Sequence, residues 1–156
     1  MQKILFLDID GVVNSVNTGD RGVRPLHPGP DTPDGWIDGI DPEKVTILNR
    51  IIAATGAQIV ISSSWRRQHG LAETTDTLRR AGLQADVIGE TPHSTPHRSV
   101  QIQQFLDAWA GENIAAFIIL DDYEDMRLLN HRFVHTDPMN GLSEADADRA
   151  ITMLLG

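Results

Sequence analysis

Cysteine is absent from the 156 residues, which excludes a disulfide framework and any thiolate metal site. Lysine is scarce, limited to Lys3 and Lys44. No apolar run approaches the roughly 20 residues of a membrane span. The opening MQKILFLDID has neither the long apolar stretch nor the small-residue cleavage site of a secretory signal. A soluble cytoplasmic protein without a membrane partner is therefore expected. Positive charge is also in short supply, with 13 basic residues against 22 acidic and a formal charge of −9. Tight non-specific binding to nucleic acid needs a basic surface that displaces counterions, so that class is excluded. A local pocket for one nucleic-acid end stays open.

What is present is a globular composition, 40% hydrophobic and 22% charged, at a length that suits a single domain over 1–156. No internal repeat or low-complexity tract is visible. Short apolar runs alternate with helical periods, the pattern of βαβ units and a parallel sheet. Lys3–Leu7 is a continuous apolar strand of the kind buried on both faces. Asp41, Pro42 and Glu43 start a helix whose inward stripe is Val45, Leu48, Ile51 and Ile52, and Gly56 stops it. Further strands are expected at Ala57–Ile61, Ala85–Ile88, Ile114–Leu120 and Arg132–His135. Helices are expected at Gln68–Ala81 and Ser99–Ala110, with a short one near Asp125–Asn130. Ser143 caps a last helix with Ala147, Ile151, Leu154 and Leu155 facing inward. The fold class is α/β, a doubly wound parallel five-stranded sheet of Rossmann-like kind, with no large cap domain. Ser15–Ile40, with four prolines and five glycines, reads as a flap-like loop after strand 1.

Three polar clusters fall at the carboxyl ends of predicted strands: Asp8-Ile9-Asp10-Gly11, Ser62-Ser63-Ser64 and Asp121-Asp122. A doubly wound sheet keeps its ligand just outside those ends. Taken singly, each cluster is also an ordinary turn, because Asp and Ser bond their own backbone. Taken together, four carboxylates in one crevice repel by several kcal/mol unless a positive charge sits among them. A hard divalent cation with oxygen ligands answers that, and magnesium suits a site with few carboxylates and a substrate phosphate.

Phe6-Leu7-Asp8-Ile9-Asp10-Gly11-Val12 resembles the first motif of the haloacid-dehalogenase (HAD) superfamily of phosphatases. Ile59-Val60-Ile61-Ser62 resembles the second, and Ile118-Ile119-Leu120-Asp121-Asp122 the fourth, in matching order and spacing. Ser62-Ser63-Ser64-Trp65-Arg66 and Gly141-Leu142-Ser143 are similar to the compact members found beside RNA-repair modules. The third motif normally holds Lys or Arg near the start of the helix before strand four. Lys3 and Lys44 lie elsewhere, so the resemblance puts Arg98 of His97-Arg98-Ser99 there.

The resemblance implies a phosphate monoester hydrolase. Asp8 is the covalent nucleophile, and Asp10 protonates the leaving oxygen and then activates water, helped to keep its proton by carboxylate crowding. Magnesium is held by Asp8, the Asp10 backbone carbonyl and Asp122, with Asp121 the second choice. The Ser62 hydroxyl, Arg98 and the backbone N–H groups of Ile9 and Ser63 hold phosphoryl oxygens. The substrate is a nucleotide, a nucleic-acid end or a small phosphate ester. Arg66 is open to a substrate contact or a salt bridge, Asn14 to steadying the loop, and Asp125 to an outer supporting contact or a solvated helix start. The six histidines read as surface or structural. A phospho-receiver module is an alternative, but there the acid pair follows the first strand. An inactive binding domain is the other alternative.

Overall fold

The computed structural model describes residues 1–17, 39–109 and 113–156. Five strands form one parallel sheet: β1 (Gln2–Leu7), β2 (Gln58–Ile61), β3 (Val87–Glu90), β4 (Ile114–Asp121) and β5 (Phe133–His135). Their spatial order is β3-β2-β1-β4-β5. The chain builds outward from β1 in one direction, then crosses back to build on its other side. That reversal puts the switch point between β1 and β4, where such sheets open a crevice.

Helices cover both faces: α1 (Pro42–Thr55), α2 (Trp65–Gln68), α3 (Leu71–Arg80), α4 (Arg98–Ala108) and α5 (Glu144–Leu155). A 3-10 helix, Arg127–Arg132, joins β4 to β5. Strand alternation sorts the core into two layers. Leu5, Leu7, Ile59, Ile61, Ile118 and Leu120 pack in the layer of α1 and α5. Ile4, Phe6, Val60 and Ile119 face the other way, onto Ile102 and Phe105 of α4. Phe6 meets Phe105 edge to face at 5.5 Å. Each such buried side chain stabilises the fold by about 1.5–3 kcal/mol, and together they fix the carboxyl ends of the strands in space.

Caps set where the helices begin. The Asp41 side chain accepts from the Glu43 amide, Pro42 occupies the first turn, and Gly56 closes α1 at φ 70°. Ser143 and Asp146 form a reciprocal capping box on α5.

The structure departs from the sequence reading in several places. The expected helix 68–81 begins only at Leu71, as α3, because Gly70 adopts φ 84°; the short α2, which was not expected, starts directly after the Ser62–Ser64 turn. β3 runs two residues later than expected: Leu83 is drawn into the core by its amide bond to the Leu78 carbonyl, and pairing with β2 starts at Val87. α4 begins at Arg98, with His97 as its cap. The helix near 125–130 is of 3-10 type and lies at Arg127–Arg132. Leu155 is 57% exposed, because α5 ends there and Leu154 takes the inward position. The expected flap falls mostly outside the described residues. Its described ends are held: Val16 and Asn17 amides donate to the Pro138 and Met139 carbonyls, and Asn14 donates to the Gly39 carbonyl at 2.8 Å. Among the described residues, no helix is long and apolar enough to cross a membrane.

Candidate active site

β1, β2 and β4 end side by side, and each delivers polar side chains to the same rim. Asp8 follows β1, its amide donating to the Leu120 carbonyl at 3.0 Å. The chain turns away at once, with the Val12 and Val13 amides both on the Ile9 carbonyl. Asp8, Asp121 and Asp122 each present a carboxylate oxygen, all within 4.8 Å of one another. Asp8 and Asp121 are buried.

Arg98 enters from the first turn of α4. Its Nη1 lies 2.9 Å from Asp121 Oδ2 and 3.3 Å from Asp8 Oδ1, and it also donates to the Ser62 carbonyl. Its side chain is 10% exposed, so these contacts are little screened by water. Burial works against its charge, but Asp8 and Asp121 outweigh that and hold its pKa above the ordinary value. One guanidinium does not neutralise three carboxylates. Burial, with Asp121 beside it, raises the Asp8 pKa well above its ordinary value despite Arg98. Burial likewise lifts Asp121 to about 6, against the opposing pull of Arg98. The uncompensated negative charge and the all-oxygen donor set fit a hard divalent cation such as magnesium.

Ser62 is wholly buried, and its hydroxyl has no hydrogen-bond partner among the described residues. An orphaned buried hydroxyl is costly unless a ligand satisfies it. Its neighbour Ser63 is turned to local work, its Oγ accepting from the Trp65 amide at 3.2 Å.

Asp10 stands outside this cluster, so three carboxylates meet where the sequence predicts four, because its side chain is drawn to Asn14 and Trp65. Its Oδ1 accepts from Asn14 Nδ2 and from the Trp65 indole, both at 3.0 Å. Asn14 is buried and also takes the Gly11 amide on Oδ1 at 2.9 Å, so it ties the loop after β1 to Asp10. The sequence pattern does not mark Trp65 as a partner of Asp10. A buried indole N–H needs an acceptor, and that requirement was the available signal.

Gly11 is demanded twice. Its φ is 81°, and a Cβ there would overlap the Asp122 carboxylate. We expect Gly11→Ala to cost about 1–2 kcal/mol in backbone strain. It should also weaken cation binding about 10- to 100-fold by displacing Asp122. Calorimetric titration with magnesium checks this, and an unchanged affinity would separate Asp122 from the metal.

Arg66 spends its donors on neutral acceptors, and no salt bridge to it is found among the described residues. It is buried and donates to the Thr91 carbonyl at 2.9 Å, to the Ser63 and Pro92 carbonyls, and to Gln101 Oε1 at 3.0 Å. It clamps the turn after β2 to the segment leading into α4. Burial, with Arg98 close by, lowers its pKa to about 10. Asp125 is exposed and caps the 3-10 turn through the Arg127 amide and Asn130. His97 accepts the Ser99 amide on Nδ1, and His135 Nε2 lies 3.1 Å from the Asp122 carbonyl. Gly141 packs its Cα against the Val12 and Asn14 carbonyls, where a Cβ would sit 3.0 Å from each, and Leu142 donates to Val12.

A family model described as "HAD domain in Swiss Army Knife RNA repair proteins" matches residues 4–147. No curated protein matches the chain.

Proposed function

The chain belongs to the family of HAD domains of Swiss Army Knife RNA repair proteins, and from that premise we propose that it is a magnesium-dependent phosphatase acting on phosphate monoesters through Asp8. The phosphate ends of nucleotides or polynucleotides are the substrates this reading favours. The observation that carries it is the meeting of Arg98 with Asp8 beside the partnerless Ser62 hydroxyl, at the edge of the three-carboxylate cluster.

Asp8 attacks phosphorus in line, and the ester P–O bond breaks. Asp10 gives its proton to the departing oxygen. The Trp65 and Asn14 donors fix Asp10 Oδ1 and so set the direction of Oδ2. Water then attacks the aspartyl-phosphate while Asp10 takes back a proton, and the bond to Asp8 breaks to release orthophosphate. Ser62 Oγ and Arg98 hold phosphoryl oxygens through both steps, with the Ile9 and Ser63 amides as further donors. Asp8, Asp122 and the Asp10 backbone carbonyl would hold magnesium. Asp121 stands behind them, with Oδ2 committed to Arg98 and Oδ1 to the Tyr123 amide. Magnesium bound there supplies charge that offsets the phosphate and its repulsion of an anionic nucleophile.

Metal dependence has a readout besides turnover. Without metal, folded Asp121 keeps its proton up to about pH 6, whereas an ordinary carboxyl loses it near 3.8. Between those values the folded protein binds more protons than the unfolded chain, so its stability falls as pH rises through the window. Asp8 shifts in the same direction and adds to the fall. Magnesium binds the ionised set, so millimolar magnesium should raise Tm by about 5 °C at pH 8 and hardly at all at pH 5. Turnover of a simple phosphate ester should stop with chelation and return with magnesium. A Tm indifferent to magnesium at pH 8, with turnover surviving chelation, overturns the metal reading.

A further inference from the structure

Tyr123 follows Asp122 directly and is 37% exposed, one of the few large apolar residues left at the surface among those described. Its position is fixed from three sides. Its amide donates to Asp121 Oδ1 at 3.0 Å. The Arg98 guanidinium lies over its ring, 4.9 Å from the centroid. The His97 ring meets it edge to face at 6.2 Å and 90°. His97 is itself anchored, its Nδ1 held by the Ser99 amide at 3.2 Å and Oγ at 2.8 Å.

A ring pinned in this way has already lost its rotamer freedom, so a second flat group that stacks on it incurs little further ordering cost. One guanidinium, that of Arg98, touches both the nucleophile Asp8 and the ring, which brings the ring close to a substrate held at Asp8. Stacking is also the mode of base recognition open to a chain of charge −9, which lacks the basic surface for backbone contacts.

We propose that Tyr123 is the platform on which the substrate's terminal base stacks, so that the site selects phosphates carried by a nucleoside. This rests on the phosphatase reading and adds the leaving group to it.

The test compares adenosine 3′- and 5′-monophosphates with glycerol phosphate. In Tyr123→Ala the ratio of kcat/KM for the preferred adenosine ester over glycerol phosphate should fall about tenfold, mostly through KM. Tyr123→Phe and Tyr123→Trp should keep the ratio, because each retains a stacking face. If Tyr123 only covers Arg98, Tyr123→Ala lowers kcat for both esters alike and leaves the ratio unchanged, which overturns the proposal. A second arm needs no turnover. In Asp8→Asn protein, adenosine monophosphate should bind about tenfold more tightly than inorganic phosphate, and Tyr123→Ala should erase the difference. No gain from the nucleoside overturns the platform. A gain without hydrolysis of any ester by the wild-type protein overturns the phosphatase reading and leaves the platform standing.

Discussion

Asp8→Asn should lower turnover of any phosphate ester by at least about 10⁴-fold, because it removes the nucleophile and not merely a contact. The geometry sets Asp8 apart from the other acids of the rim. Asp121 has both oxygens committed to protein donors, Arg98 and the Tyr123 amide. Asp122 is backed against Gly11. Asp10 is oriented by an indole and an amide, which suits a group that exchanges protons rather than one that forms a bond to phosphorus. Asp8 lies between them at the end of the central strand, with Arg98 at 3.3 Å. The fold should survive. Asn keeps the shape while removing a buried charge that the metal-free site holds poorly, so Tm without magnesium at pH 8 should hold or rise. Acid quenching of wild-type protein with labelled substrate should trap label on Asp8. Residual activity above a few per cent, or label on another acid, would end the assignment.

Much of this arrangement was legible because local chemistry and the global fold agree. Lys3–Leu7 reads as a doubly buried strand, and it is the middle of the sheet. Asp41-Pro42 and Ser143 announce helix starts, and both caps are present. Three strands ending in Asp, Ser and Asp pairs point to one rim, and the structure brings Asp8, Ser62, Arg98, Asp121 and Asp122 together there. The supporting contacts were hidden because their partners are far apart in the chain. The Trp65 indole reaches Asp10 across 55 residues, and Arg66 reaches Gln101 across 35, only after β2 and α4 are in place. Periodicity reports a face, never a partner. It also missed the short helix Trp65–Gln68 and set the next helix start at Gln68, ahead of Gly70, whose φ of 84° no helix continues through. The flap expectation concerns residues that lie largely outside those described.

Arg98→Ala should be the most damaging single change to stability at this rim. Arg98 is the counter-charge printed into the fold for Asp8 and Asp121, and both are buried. Removing one partner of a buried ion pair typically costs about 3–5 kcal/mol, since the other charge stays behind unpaired. For a chain of this size that is a fall in Tm of about 10 °C. The fall should be steeper at pH 8 than at pH 5, because at the lower pH the stranded carboxylates escape by taking up protons. Turnover should drop about 10²–10³-fold as a donor to the phosphoryl oxygens is lost. Arg98→Lys restores charge but not the planar guanidinium whose Nη1 meets Asp8, Asp121 and the Ser62 carbonyl, so it should recover stability better than activity. The decisive measurement is a double-mutant cycle. If Arg98 stabilises by pairing with Asp121, then adding Asp121→Asn to Arg98→Ala should return part of the lost Tm. If the two losses simply add, the guanidinium acts through packing on Tyr123, and the charge argument for this site fails.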